Sequence, residues 1–358
     1  MLKKISINKD ISIAETMPSY YYLNDSYYEL SINNIFKNSW QIITDKNSVK
    51  SKIHPFIFLK NSINEPLLLI SKDNKYICLS NVCTHRGNLM YSETSDSNNI
   101  HCEYHGRVFD LEGNFLSCPG FDNVKNFPSR SDNLSQIKLK LWKQFIFNSL
   151  NPIININDVL KDIDNRLGWY PFDKLSYDES NSSTYVINAH WALYCENYLE
   201  GFHVPFIHKG LNKDIKLDTY NTKILNNGVL QYTVSKLKKN ALNIPNGYIN
   251  SNQNIYAYYY WIFPNIMLNF YSWGLSINII EPINKNKSRI RFLSYPIANH
   301  IQPTKIDSSL DTVEEEDQNV VCNVQQGIKS QFYNRGRYSV EHEKGIHHFH
   351  RLICKYIN

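Results

Sequence analysis

The sequence predicts an α+β protein in two parts: an all-β N-terminal domain, then a domain of helices and a mainly antiparallel sheet. Three observations predict it. Between Trp40 and Ile154, short apolar runs of strand length are separated by Asn, Asp, Gly and Pro turn residues. Beyond Asn151-Pro152, helical patterns alternate with further strand-like runs. The 358 residues suffice for two buried cores.

In order along the chain, residues 1–38 form an arm with one helix at 25–37, expected to pack on the second domain. Residues 39–152 form the β domain, with strands at 56–60, 67–71, 76–80, 107–110 and 145–148. Asp73-Asn74 and Glu112-Gly113-Asn114 read as hairpin turns. Residues 153–358 form the second domain. Its helices are expected at 156–166, 189–203, 309–333 and 341–356, and its strands at 255–263, 267–271, 275–280 and 288–295.

Composition excludes several classes. Lys+Arg number 38 and Asp+Glu 33, an excess of +5 that is too thin for nucleic acid or an anionic membrane. The most apolar stretch, residues 256–280, is interrupted by Pro264, Asn265, Asn269 and Gly274, so no membrane span is expected. The first ten residues lack the apolar core of a signal peptide. Seven cysteines is an odd number in a chain too long to need disulfide staples. A cytoplasmic protein fits, with metal or reactive roles for some thiols.

Two constellations carry chemistry. In the first, Cys83-Thr84-His85 is followed after sixteen residues by Cys102-Glu103-Tyr104-His105. Gly87 and Gly106 stand just beyond each half, where a tight loop needs a residue without a Cβ. Cys118-Pro119-Gly120 is a candidate third loop over the site. A structural zinc site in a non-catalytic binding module is one reading, but zinc loops usually pair Cys with Cys. Pairing one Cys with one His in each loop suits a Rieske 2Fe–2S centre, with Cys83 and Cys102 on one iron and His85 and His105 on the other. The remaining thiols, Cys78, Cys118, Cys195, Cys322 and Cys354, read as buried and reduced.

The second constellation runs from Glu196 to His208. Glu200 and His203 share a helix face at i,i+3. Pro205 disturbs the helix, which lets His208 return to the same site. Two neutral imidazoles and one carboxylate leave positions open on Fe(II) for oxygen and substrate. Alone, the stretch reads more readily as a helix with a surface Glu and two His near an interface. An electron-transfer centre in the same chain favours iron, because such a centre needs an acceptor.

With Cys83-x-His85-x16-Cys102-x2-His105 and Asn197-Tyr-x-Glu200-x2-His203-x4-His208, the chain resembles the Rieske non-heme iron oxygenases over nearly its whole length. These are the alpha (oxygenase) components of ring-hydroxylating and amine-oxidising systems. The resemblance implies a catalytic domain of helix-grip, START-like form, one 2Fe–2S cluster and one mononuclear Fe(II). It implies that His203 and His208 hold that iron with a carboxylate from far downstream. Asp317, ahead of Val324-Gln-Gln-Gly327, is the best match, and Glu316 is the competing ligand. Glu314 and Glu315 read as a solvated acidic first turn. Glu200 would bridge to a Rieske His of a neighbouring subunit, which implies a homotrimer with His105 of one chain meeting Glu200 of the next. Glu at that position, where ring-hydroxylating dioxygenases mostly have Asp, resembles the carnitine, choline and betaine type.

The resemblance further implies electrons from NAD(P)H through a separate flavin/iron–sulfur reductase or ferredoxin. It implies O₂ and a small substrate, a quaternary or tertiary amine that is hydroxylated or N-dealkylated; an aromatic acid is the alternative. In residues 255–263, alternation puts Tyr256, Tyr258 and Tyr260 on one face and Tyr259, Trp261 and Phe263 on the other. One face is a candidate wall for an ammonium ion, although plain sheet core is the simpler reading. Phe202, Phe206 and residues 270–273 are further candidate liners. His347, His348 and His350 do not converge on one helix face and read as packing or surface.

Overall fold

The computed structural model describes residues 2–208, 210–298 and 309–358, the side chains of 309–312 excepted. The chain divides into two compact units: residues 40–153, and residues 1–39 together with 154–358.

The smaller unit is built from nine antiparallel strands: β1 (Gln41–Asp45), β2 (Ile53–Phe58), β3 (Glu65–Lys72), β4 (Lys75–Ser80), β5 (Ile100–Cys102), β6 (Arg107–Phe109), β7 (Phe115–Ser117), β8 (Gln136–Trp142) and β9 (Phe145–Ser149). Six form a sheet ordered β1-β9-β8-β4-β3-β2, and β5-β6-β7 form a separate small sheet. Asp73 and Asn74 both adopt positive φ, 51° and 58°, and close β3 onto β4 with Lys72 opposite Lys75. That is the two-residue hairpin geometry Asn and Asp tolerate best.

The larger unit carries a seven-stranded antiparallel sheet, ordered β10-β16-β15-β14-β13-β12-β11. Its strands are β10 (Asp178–Ile187), β11 (Ile215–Leu225), β12 (Gly228–Ser235), β13 (Ile255–Ile262), β14 (Ile266–Phe270), β15 (Gly274–Asn284) and β16 (Lys287–Pro296). The helices are α1 (Ser19–Leu23), α2 (Asp25–Asn34), α3 (Asn157–Leu167), α4 (Trp191–Tyr198), α5 (Val204–Ile207), α6 (Ser309–Gly327) and α7 (Lys344–Ile357). Tyr260 donates to Asp162 of α3 at 2.6 Å, while the next residue, Trp261, packs edge-on against Phe349 of α7. Adjacent strand residues point to opposite faces, so α3 and α7 cover opposite sides of the sheet. This is the expected α+β architecture. Among the described residues, no helix is long and apolar enough to cross a membrane.

Several elements differ from expectation. The helix foreseen over 189–203 ends at Tyr198 and resumes as α5. At the break Gly201 packs so closely on the Tyr220 ring that a Cβ there would lie 2.6 Å from it, and Pro205 has no N–H to continue the bond ladder. The long helix α6 stops at Gly327, short of residue 333, because glycine ends helices readily. Strands β10, β11 and β12 were not foreseen. His347, His348 and His350 do pack: the His347 Nε2 lies 2.7 Å from the Asn8 carbonyl oxygen, and the His350 Nδ1 2.6 Å from the Tyr338 hydroxyl.

His190 caps α4 by accepting from the Ala192 N–H through Nδ1 at 3.2 Å, and it is wholly buried among Tyr21, Tyr22 and Tyr28. Burial pulls its pKa down to about 3. The folded value lies below the ordinary value of about 6.5, so the unfolded chain takes up the proton first. The stabilisation is complete above about pH 6.5 and is lost as pH falls towards 3, by roughly 2 kcal/mol at pH 5. Denaturation midpoints measured between pH 7 and 5 are expected to fall. His190→Asn, which keeps a capping oxygen, is expected to flatten that slope.

Candidate metal centres

In the smaller unit, two loops present the first set. The Gly87 N–H donates to the Cys83 carbonyl and the Gly106 N–H to the Cys102 carbonyl, each at 3.0 Å. Both glycines sit in the left-handed region, φ +73° and +70°. Each loop is thus one tight turn that closes under its cysteine. Cys83 and Cys102 are both 2% exposed, and burial pushes the Cys83 thiol up. The His85 and His105 rings lie 4.7 Å apart at 65°. Pro119 approaches Gly106 to 3.4 Å of where a Cβ would stand, so the Cys118-Pro119-Gly120 loop does pack beside the second turn. The His85 Nδ1 is buried without a hydrogen-bond partner. A buried nitrogen left unpaired next to two buried thiols fits a site built for metal. Of the other thiols, Cys118 and Cys322 are half-buried rather than buried, and all seven are free.

In the larger unit, His203 begins the α5 turn, His208 follows it, and Asp317 comes from α6. The His208 Nε2 stands 3.1 Å from the His203 Nε2 and 3.0 Å from the Asp317 Oδ1, and the His203 Nε2 lies 3.6 Å from that oxygen. Among the described residues this is the one group of three or more potential ligands that converge, all within 4.8 Å. Each imidazole is held from behind by a carboxylate: His203 Nδ1 by Glu200 at 2.5 Å, and His208 Nδ1 by Glu316 at 2.8 Å. Such pairing fixes the tautomer and leaves both Nε2 lone pairs facing the same point. The Asn197 amide donates to the Asp317 Oδ1 at 2.7 Å. Burial lowers the His208 pKa, but Asp317 and Glu316 outweigh it, and the net shift is upward. Glu314 is not a solvated residue as read from sequence: it is half-buried and accepts from the Tyr194 hydroxyl at 2.8 Å.

A cluster of aromatic residues lies in the same unit and reaches the segment between Glu200 and His203 through Tyr220. Tyr220 lies against Gly201, and its hydroxyl is 3.1 Å from Gln231, whose amide also donates to the Tyr198 carbonyl. Tyr271 stacks on Trp273 at 5.3 Å and meets Tyr256 and Tyr259 edge-on near 6 Å. Tyr256 was expected to share a face with Tyr258 and Tyr260. A bulge where Thr233 pairs with Ala257 but Val234 with Ile255 adds one residue to β13 and turns Tyr256 towards Tyr271. Tyr258 and Tyr260 face α3 instead, as does Phe270 against Tyr170. Phe202 and Phe206 are 46% and 70% exposed, so they do not join the wall. Sequence reasoning missed Tyr198 and Tyr220 and the orienting contact of Glu316. Of these, only Glu316 had a signal, its place beside Asp317.

A family profile described as ring hydroxylating alpha subunit (catalytic domain) matches residues 172–358, just over half of the chain. The chain belongs to that family. A Rieske [2Fe-2S] domain profile matches residues 39–128, so this oxygenase carries an iron–sulfur domain ahead of its catalytic domain. That match removes the zinc-module reading. Choline monooxygenase, chloroplastic, of Amaranthus tricolor is 28% identical over 96% of this chain and 78% of its own. The carnitine monooxygenase oxygenase subunit of Escherichia coli (strain K12) is 26% identical over 96% and 94%. Among solved structures, the quaternary ammonium Rieske monooxygenase CntA in complex with an inhibitor superposes with a TM-score of 0.81 at 20% identity over all of both chains. Naphthalene 1,2-dioxygenase does so at 0.72 and 16%, over 99% and 95%. At these identities the structures speak for the fold. The oxygenase is an oxidoreductase of the Rieske type.

Proposed function

We propose that this oxygenase hydroxylates or N-dealkylates a small quaternary or tertiary amine at an N-methyl or adjacent carbon. The observation that carries the reading is the convergence of His203, His208 and Asp317, with Tyr220 packed against Gly201 in the same segment; Tyr198, Tyr220, Tyr256, Tyr259 and Tyr271 are the proposed substrate wall. We assign Cys83, Cys102, His85 and His105 to the 2Fe–2S cluster, and His203, His208 and Asp317 to one Fe(II). When bound, the two groups supply stored electrons and a place for O₂ activation. Glu200 and Glu316 hold the two imidazoles with their Nε2 atoms unprotonated, and Asn197 aims the Asp317 carboxylate. The tyrosine faces hold a trimethylammonium group by cation–π attraction, about 0.5–2 kcal/mol per ring, and keep water from the reacting carbon.

Glu200 also serves as the bridge to His105 of a neighbouring chain in a homotrimer. NAD(P)H supplies electrons through a separate flavin/iron–sulfur reductase or ferredoxin in the cytoplasm. The choline and carnitine relatives support the amine reading. The test is turnover of iron-loaded protein with a reductase, comparing choline, glycine betaine and carnitine against benzoate. Product formation coupled to O₂ uptake is expected with at least one amine and not with benzoate. Benzoate hydroxylation without amine turnover would overturn the substrate class in favour of aromatic-ring oxygenation.

A further inference from the structure

Arg107 is 1% exposed in the interior of the smaller unit. Its Cζ lies 4.8 Å from the ring centre of Phe115, 5.2 Å from Phe127, 5.8 Å from Phe121 and 5.9 Å from Phe109. Its Nη2 donates to the Asp132 Oδ1 at 2.6 Å, and its Nε is buried without a partner. Burying a guanidinium among four phenyl rings is costly, and a Met or Leu would fill the space more cheaply. A charge kept there against that cost calls for something nearby that uses it.

Three contacts tie this cation to the cluster loops. Arg107 is the cross-strand partner of Cys102, so the two side chains leave the same face of the small sheet as neighbours. The Asp132 carbonyl accepts from the hydroxyl of Thr84, which stands between Cys83 and His85, at 2.7 Å. Phe121, one wall of the box, meets the His85 ring edge-on at 5.1 Å. Asp132 balances the charge incompletely. Its carboxylate is 20% exposed and shared with the Ser129 N–H and hydroxyl, whereas the Arg107 side chain is 2% exposed. Water screens the anion and not the cation, so the field left in the interior is positive.

We propose that Arg107 is a fixed buried cation that raises the reduction potential of the cluster held by Cys83, Cys102, His85 and His105. On one-electron reduction the cluster gains a negative charge and no bond is made or broken, and a neighbouring cation favours that form. Arg107 is a positioning and tuning residue, not a catalytic one. The proposal rests on the cluster assignment, which iron and sulfide content and the visible spectrum check separately.

The experiment is a mediated redox titration of the full chain as Arg107→Met, Arg107→Lys and Asp132→Asn, with the cluster spectrum recorded for each. Arg107→Met is expected to change the oxidised-to-reduced ratio at fixed potential by about tenfold towards oxidised, about 59 mV for one electron. Arg107→Lys keeps the charge and is expected to shift the ratio far less. Asp132→Asn removes the counter-charge and is expected to move the ratio the opposite way, towards reduced. The proposal is overturned if Met leaves the potential in place, if Lys shifts it as far as Met, or if Asp132→Asn fails to raise it. Should the Met variant lose its cluster, Arg107→Gln, which is neutral but keeps polar contacts, takes its place with the same expected shift towards oxidised. A chain without any 2Fe–2S spectrum in the parent form would instead sink the assignment beneath it.

Discussion

Asp317→Ala is expected to empty the mononuclear site while leaving the cluster intact. Iron content should fall from about three to about two per chain, the Rieske spectrum should persist, and substrate-coupled O₂ uptake should drop to background. The reason is geometric. Asp317 Oδ1 lies 3.0 and 3.6 Å from the two Nε2 atoms, on the side where their lone pairs meet. Glu316, the neighbouring carboxylate, bonds the far side of the His208 ring through Nδ1. Glu316→Gln should therefore weaken iron binding by about 10–100-fold without abolishing it, the usual cost of losing an orienting partner. Iron retention in Asp317→Ala with complete loss in Glu316→Gln would exchange the two roles. His203→Ala should behave as Asp317→Ala does.

Part of this site is legible because metal chemistry leaves short-range spacing. Cys-x-His and Cys-x2-His set a tight turn apiece, and Glu200, His203 and His208 all lie within nine residues. Asp317 stands 109 residues beyond His208, so no local period announces it. Spacing also cannot say which of two adjacent acids faces the metal. In the structure the two acids take opposite sides of one imidazole, Asp317 at the His208 Nε2 and Glu316 at its Nδ1, as residues about 100° apart on a helix can. The aromatic wall was half visible. Alternation correctly separated Tyr258 and Tyr260 from Tyr259, but a one-residue bulge carried Tyr256 across, and a bulge is a pairing event with no composition of its own.

The fold shows the same division. Central strands such as β13 and β14 are apolar on both faces and stand out. The two edges of the seven-stranded sheet, β10 and β11, do not: β10 opens Asp-Glu-Ser-Asn-Ser-Ser-Thr, which reads as loop. An edge strand with one face in water needs few apolar residues and benefits from polar ones that discourage further pairing. Likewise the helix expected over 189–203 ends at Tyr198, and the close packing of Tyr220 on Gly201 just beyond it involves a residue from another element.

Gly345→Ala is expected to damage both stability and the iron site from outside it. A Cβ at Gly345, in the first turn of α7, would stand 2.3 Å from the Leu199 carbonyl oxygen and 3.4 Å from its carbon. Backbone atoms cannot rotate aside as a flexible side chain would, so α7 or the end of α4 must move. Overpacking of this kind costs about 1–3 kcal/mol, and about 2–4 °C in midpoint for each. The displacement falls on the wrong place for function: Leu199 is followed directly by Glu200, which holds His203 by its ring and also accepts from the Phe202 and His203 backbone. The variant should therefore lose mononuclear iron affinity as well as thermal stability, with the cluster spectrum unchanged. Gly327→Ala is the control. Nothing lies within 4 Å of its added carbon, so it should be neutral or stabilising by about 0.5 kcal/mol. Equal effects from the two substitutions would mean that glycine's backbone freedom, and not the close approach of α7 to Leu199, sets the cost.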